Sequence, residues 1–391
     1  MKHWQETSQI MGRVTELAAA GQRAAIATVV RIEGSAYRRP GAKLLVEEGG
    51  ATRGGVSGGC LEADVREIAL AAMRDGVSRL RHYETGDDDR TVWGLGLGCH
   101  GSVDIFVQPV TPEDTVDVAR RLGMLLTGDS PFAVSTLVRG PAAALGRMLV
   151  AGEGRQTGST GNPGLDRGIA QRAEMLLATG ESKLYYIEST GVEWTAGVFT
   201  EVHLPPPRLV ICGAGDDAIP LAAYASRVGF RVTVVDHRPA YLSPERFPEA
   251  ERIDRRPADG LEGLPLGPRT YPVVMTHSFA HDRDWVGRLL RTTVPYIGLL
   301  GPRARRDEIL GQIGATGERI GATGEQIDAA SAQTSASGTE RLFAPVGLDL
   351  GADGPEQVAV SIVAELLAVR AASAPRHLRE KEGVIHAVSA V

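Results

Sequence analysis

Apolar positions along this chain recur first with helical spacing and then in short β-branched runs. Residues 4–20 predict a helix that stops at Gly21, and Ala25–Ile32 a buried strand. A loop of polar and small residues, 33–42, leads to a second strand at Lys43–Val46, with Gly49-Gly50 as its turn. Apolar residues at Leu61, Val65, Ile68, Ala72 and Met73 predict a helix that the glycine-rich stretch Gly54–Gly59 enters directly. Strands at Arg79–Tyr83 and Val103–Val107 flank a second glycine run, Gly94–Gly101. A helix over Pro112–Leu126, strands at Pro131–Val138 and Arg147–Val150, a loop over Gly152–Asp166 and a helix near Gly168–Ala178 follow. Strands at Lys183–Ile187 and Val198–His203 complete this part.

Beyond Pro205-Pro206-Pro207 the pattern alternates strand and helix, as a parallel sheet requires. Leu209–Cys212 runs into Gly213-Ala214-Gly215, an apolar helix follows, and Arg231–Asp236 ends in an acid 21 positions after Gly215. With Ala218 as the third small residue, that is the spacing of a mononucleotide-binding βαβ start. Tyr271–Thr276 predicts a strand ending at His277, and Pro295–Leu300 one ending at Gly301-Pro302-Arg303. Residues 311–339 contain the near-duplication Gly314-Ala-Thr-Gly-Glu-Arg-Ile and Gly321-Ala-Thr-Gly-Glu-Gln-Ile, which predicts a low-complexity surface insertion. Order resumes at Phe343–Asp349, and Pro355 opens a helix with Val358, Ile362, Leu366 and Val369 on one face. The expected architecture is α/β. An N-terminal α+β domain spans 1–204, a proline linker 205–207, a Rossmann-like doubly wound parallel-sheet domain 208–373, and a tail 374–391.

Composition narrows the function classes. A formal net charge of −6 with 23% charged residues gives no electrostatic footprint for nucleic acid or an anionic membrane. The 3 cysteines, Cys60, Cys99 and Cys212, are far apart, which argues against a disulfide framework and for a reducing compartment. No run reaches the ~18 apolar residues of a membrane span, and a cytoplasmic location is expected.

Candidate chemistry sits in the glycine loops and at strand ends. Amides of Gly54–Gly59, with Gly55, Ser57, Gly58 and Gly59, stand at a helix start, where Arg38, Arg39 and Arg53 are near in sequence. Such a loop suits an anion, although the same glycines serve equally to turn the chain tightly. Cys60 and Cys99 each follow a glycine run, a setting for a reactive or soft-metal thiol and also for a small buried hydrophobe. No CxxC or metal-spaced His cluster supports zinc, and Cys212 belongs to the core. Asp216 and Asp217 follow Gly215, where a pyrophosphate would otherwise take the helix amides, so the dinucleotide signature is strong for fold and weak for cofactor. Asp236 suits a ribose diol or a turn cap, and His277 and Arg303 follow strands at their carboxyl ends.

Taken together and in order, these motifs resemble the XdhC/CoxI family of molybdenum-hydroxylase accessory proteins. The carrying residues are Gly34-Ser35 through Pro40-Gly41-Ala42, Gly55-Val-Ser-Gly-Gly-Cys60-Leu-Glu62 and Gly96-Leu-Gly-Cys99-His-Gly101. The second half adds Gly213-Ala-Gly215, Val235-Asp236-His-Arg238, Thr276-His277, Tyr296–Gly301 and Pro345–Asp349 with Glu365. The resemblance makes residues 1–204 an XdhC/CoxI-type domain and implies binding of molybdenum cofactor, a pterin dithiolene bearing a phosphate. It further implies support for sulfuration of that cofactor and its insertion into a hydroxylase of the xanthine or carbon monoxide dehydrogenase type. Cofactor contacts then fall to the glycine loop with Glu62, to the three arginines, to Cys60 and Cys99 as molybdenum or sulfur contacts, and to Gly213, Gly215, Asp236, His277 and Arg303. The implied partners are an apo-molybdenum hydroxylase and a cysteine desulfurase, with a homodimer as one assembly. The resemblance implies a carrier and maturation factor rather than a turnover enzyme; the alternative is an NAD(P)-dependent oxidoreductase using the Rossmann-like domain.

Overall fold

The computed structural model describes residues 2–34, 38–85, 101–110, 115–152, 154–188, 194–316 and 338–381. Its contacts divide the chain into two compact units that meet at Pro205 and Pro206.

The first unit opens with helix α1 (Lys2–Ala19), strands β1 (Ala24–Gly34), β2 (Lys43–Glu47) and β3 (Thr52–Gly54), helix α2 (Glu62–Asp75), and strands β4 (Arg79–Thr85) and β5 (Gly101–Val110). The same order then runs again: α3 (Thr115–Thr127), β6 (Phe132–Arg139), β7 (Met148–Gly152), β8 (Arg155–Gly158), α4 (Pro163–Thr179), β9 (Lys183–Ile187) and β10 (Ala196–His203). Each half builds a five-stranded antiparallel sheet, ordered β3-β2-β1-β5-β4 and β8-β7-β6-β10-β9. The unit is thus an internal duplication of one α-βββ-α-ββ motif.

Side-chain alternation along the strands explains the layering. Ala25, Ala27 and Val29 of β1 pack under Val65, Ala69 and Ala72 of α2. Leu137 of β6 and Val198 of β10 pack likewise under Leu165 and Ile169 of α4. The opposite faces meet each other: Val30 and Phe106 from one half form a cluster with Val138 and Phe199 from the other. At one end Ile10 and Val14 of α1 and Ala119 and Leu122 of α3 close the core over Ile26 and Val134. Matched patches from matched halves make this contact self-complementary, as in a twofold dimer.

The second unit has β11 (Arg208–Cys212), α5 (Ala218–Arg227), β12 (Arg231–Asp236), β13 (Glu251–Asp254), β14 (Thr270–Val274), α6 (Phe279–Leu289), β15 (Ile297–Leu299), α7 (Arg303–Thr316), β16 (Leu342–Phe343) and α8 (Pro355–Arg370). The six strands are parallel in the order β13-β12-β11-β14-β15-β16, the Rossmann order with its switch point between β11 and β14. After the undescribed 317–337 the chain is described again from Gly338, and the Arg341 guanidinium donates to the carbonyls of Leu290, Thr292 and Val294 beyond the end of α6.

Several boundaries differ from the sequence reading, for physical reasons. The expected loop over 152–166 contains β8 and the start of α4, because Asn162 caps the helix at Leu165 and Pro163 occupies its first turn. Helix α7 continues to Thr316, six residues into the expected insertion. The strands expected at 271–276 and 295–300 are Thr270–Val274 and Ile297–Leu299.

Asp282, in the first turn of α6, is 1% exposed and accepts from the Thr276 amide (3.1 Å) and hydroxyl (2.6 Å) and from both forks of Arg305 (3.0 and 2.6 Å). Asp282→Ala would leave that guanidinium half-buried without a partner. A loss of about 3–5 kcal/mol is expected, read as a lower urea midpoint.

Candidate functional site

The glycine loop between β3 and α2 is organised from inside by one acid. Glu62, the first residue of α2, accepts from the amides of Val56 (3.1 Å) and Ser57 (2.8 Å) and from the Ser57 hydroxyl. Ser57 Oγ in turn accepts from the amides of Gly59 and Leu61, both at 3.1 Å, and from the Cys60 thiol at 3.6 Å. The result is a thiol–hydroxyl–carboxylate chain, Cys60–Ser57–Glu62. The amides expected to cradle an anion are therefore partly taken; those of Gly58 and Cys60 have no partner among the described residues. Burial pushes the Glu62 carboxyl up, but the Ser57 hydroxyl and the loop amides outweigh it and hold the group below the usual carboxylate range.

Of the three expected arginines, the structure brings Arg38 against this loop. Arg38 donates to Glu6 of α1 at 2.8 Å, and its guanidinium and the Glu62 carboxylate both lie 3.3 Å from the position a Cβ would take at Gly55. Gly55 is thus the crossing point of the Arg38 and Glu62 side chains. Arg39 is exposed and forms no ion pair among the described residues. Arg53 is exposed and 3.8 Å from Glu47. Cys60 is half-buried and, like Ile32, packs against the cluster that holds Val65 and Val103. Cys99 lies outside the described residues, in a segment flanked by Thr85 and Gly101, which pair with each other; Gly101 also pairs with Gly34 at the end of β1. Sequence reasoning missed Glu6, because its partner Arg38 is 32 residues away and nothing in the local pattern joins them.

The duplicated half supplies a comparison. Gly54 and Gly158 are twins: both have positive φ, and a Cβ on either would run into a main-chain carbonyl oxygen, that of Lys43 in β2 or of Met148 in β7. Eight residues on, Asp166 stands where Glu62 does and accepts from the Thr160 amide at 2.8 Å and from the Ser159 and Thr160 hydroxyls. In the twin loop, however, Asn162 caps the helix with its own side chain and Pro163 has no amide to offer. Gly58 and Gly59 occupy the corresponding places in the first loop, which has neither a side-chain cap nor a proline there.

In the second unit, Gly213, Gly215, Asp236 and His277 come together at the carboxyl ends of β11, β12 and β14. A Cβ at Gly213 would lie 2.5 Å from the Met275 carbonyl, so only glycine permits this approach; Gly215 faces just the His277 ring, at 3.4 Å. Asp236 is buried, and its oxygens are taken by the Ala214 amide (2.7 Å), the Arg238 amide (2.9 Å) and the Arg238 guanidinium (2.9 and 2.8 Å). Burial opposes ionisation there, but Arg238 and the two amides keep the carboxyl below its usual range. Asp216 pairs with Arg246 at 2.9 Å and Asp217 with His277 at 3.3 Å. A ribose diol at Asp236 would have to share the acid with Arg238, and a pyrophosphate at the helix start would meet two carboxylates; NAD(P) finds no support in this arrangement. Arg303 is exposed at the start of α7 without an ion pair among the described residues, whereas Arg305 and Arg306 are tied to Asp282 and Asp307. No cluster of three metal-ligating side chains occurs among the described residues, and no helix there is long and apolar enough to cross a membrane.

Fold and site define a two-unit protein in which a duplicated β-sandwich bearing a cysteine-containing glycine loop precedes a Rossmann unit. Known proteins share this combination. Residues 17–84 match the XdhC and CoxI family and residues 209–366 the XdhC Rossmann domain. A Bacillus subtilis protein described as a probable xanthine dehydrogenase subunit is 31% identical over 350 residues, covering 89% of this chain and 94% of that one. A solved structure described as a xanthine dehydrogenase of Bacillus halodurans superposes with a TM-score of 0.68 at 29% identity, over 95% of this chain and 98% of the other. A molybdenum cofactor insertion chaperone of Escherichia coli, PaoD, is 35% identical over 114 residues, 27% of this chain and 35% of that one. The chain belongs to the XdhC and CoxI family.

Proposed function

We propose that this protein is a maturation factor for a molybdenum hydroxylase, holding molybdenum cofactor as cargo while it is sulfurated and then passing it to the apo-enzyme. The observation that carries the reading is the loop at Gly55–Glu62, which holds a half-buried thiol and two amides without a partner among the described residues, with the Arg38 guanidinium against its first glycine. Those groups fit the cargo: Arg39, Arg53 and the Gly58 and Cys60 amides suit a phosphate, and a thiol suits soft molybdenum or a transferred sulfur. Arg38, Ser57 and Glu62 shape the loop. Cys99, and in the second unit Gly213, Gly215, Asp236, His277 and Arg303, remain in the same proposed role. The sulfur donor is a cysteine desulfurase, the recipient a xanthine or carbon monoxide dehydrogenase-type enzyme, and the assembly a homodimer. Domain limits at 204 and 208, with the insertion at 311–339, belong to the same reading.

Anaerobic purification with excess cofactor tests it: molybdenum and the fluorescence of oxidised pterin should co-elute with the protein, and absence of both sinks the proposal. Cys60→Ala is expected to leave the melting temperature and pterin retention near wild type while activation of the hydroxylase falls about tenfold or more. Unchanged activation would return that thiol to a packing role.

A further inference from the structure

We propose that Lys43 and Glu201 are positioning residues for the cofactor loop, an inference that rests on the functional reading above. The two halves of the first unit can be superposed residue by residue through their strand registers. Lys43 pairs with Thr28 as Met148 pairs with Thr136, and Gln108 pairs with Ile26 as Glu201 pairs with Val134. Matched residues of both halves line one shared cavity of about 50 Å³, including Thr28 with Thr136 and Phe106 with Phe199. The match fails around one buried ion pair. Where the second half has Met148 facing Gln108, the first has a lysine facing a glutamate from the other half, with side chains only 9% and 10% exposed.

Burying an ion pair costs several kcal/mol per ion in desolvation, and an apolar or neutral replacement of similar size is often no less stable. The mate positions show that this fold accepts such a replacement, so the architecture does not demand the charges. What the pair does touch is the frame of the candidate site. Lys43 Nζ donates to the Gly41 carbonyl at 3.0 Å, and a Cβ at Gly41 would stand 3.0 Å from Glu201 Oε1. Gly41 closes the segment that carries Arg38 and Arg39. The Lys43 carbonyl accepts from the Gly55 amide at 2.8 Å, where the glycine loop begins. The ion pair thus holds Gly41 through its side chains and anchors the residue whose main chain opens the glycine loop, and His203 backs it with Nε2 3.6 Å from Glu201.

The test transplants the mates. Lys43→Met alone strands Glu201 and should lower the melting temperature; adding Glu201→Gln should restore it to within ~2 °C of wild type. In the double variant the Gly41 and Gly55 amides should exchange with solvent about tenfold faster, while Gly146, the twin of Gly41, is unchanged. Cofactor affinity should fall about tenfold despite the restored stability. Equal exchange at Gly41 and Gly55 overturns the proposal whether or not cofactor binds. Wild-type protein that fails to retain cofactor refutes the functional reading instead, and the exchange measurement then decides this inference alone.

Discussion

Gly213→Val is expected to lower the melting temperature of the Rossmann unit by roughly 6–12 °C, the equivalent of about 3 kcal/mol. Gly213 has φ +117°, and a Cβ there would lie 2.5 Å from the Met275 carbonyl oxygen and 2.8 Å from the Thr276 Cα, both main-chain atoms that no rotamer change moves. The turn is pinned on either side, since the Gly213 amide donates to Val235 and the Met275 amide to Cys212, each at 2.8 Å. Relief requires prising β11 from β14 at the centre of the sheet. Gly215→Ala is the control, because its Cβ meets only the edge of the His277 ring. A thermal scan in which the two variants melt together would show that the close approach is not what fixes this turn.

Glu62→Ala has the larger consequence for the site. The Val56 and Ser57 amides and the Ser57 hydroxyl lose their common acceptor, which costs about 1–3 kcal/mol and frees Ser57 from its place beneath Cys60. Cofactor retention should drop at least about tenfold. The pH dependence has a definite sign. A carboxyl held below its ordinary value stabilises the fold above that ordinary value, and the contribution is lost as pH falls through the depressed one. Acid unfolding of the variant should therefore be shallower below pH ~4 than that of wild type. Tighter cofactor binding by Glu62→Ala would carry a different message: the carboxylate would then be holding the amides that the cargo's own anion needs.

Most of the fold was legible because its central strands are apolar and β-branched. Ala25–Ile32, Leu209–Cys212 and Arg231–Asp236 announce themselves, and the Gly213 turn fixes the Rossmann start. Four edge strands escaped: β16, only two residues long, and β3, β8 and β13, each of three to four mostly exposed residues, Thr-Arg-Gly, Arg-Gln-Thr-Gly and Glu-Arg-Ile-Asp. With no face to bury, they leave no hydrophobic period to read. The duplication escaped for a related reason: the halves share burial and register rather than residues, so Lys43 answers to Met148 and Val110 to His203. The candidate loop was legible as glycines and a cysteine. Its internal acceptor was not, since Glu62 reads as an ordinary first-turn acid and becomes the loop's organiser only once the chain folds back on it. Lys43 and Glu201, 158 residues apart, give no local signal.

Arg341 gives the second unit an unusual freedom of length. By gripping three carbonyls beyond α6, it sets where the last strand begins without reference to the chain that precedes it. That grip is made entirely by residues 290–294 and 341, so it does not depend on how many residues lie between Thr316 and Gly338. Two successive seven-residue stretches, alike at all but one position, start at Gly314 and Gly321. Replication slippage within such a repeat would leave Arg341 and its three acceptors in place, so related chains are expected to differ in length here.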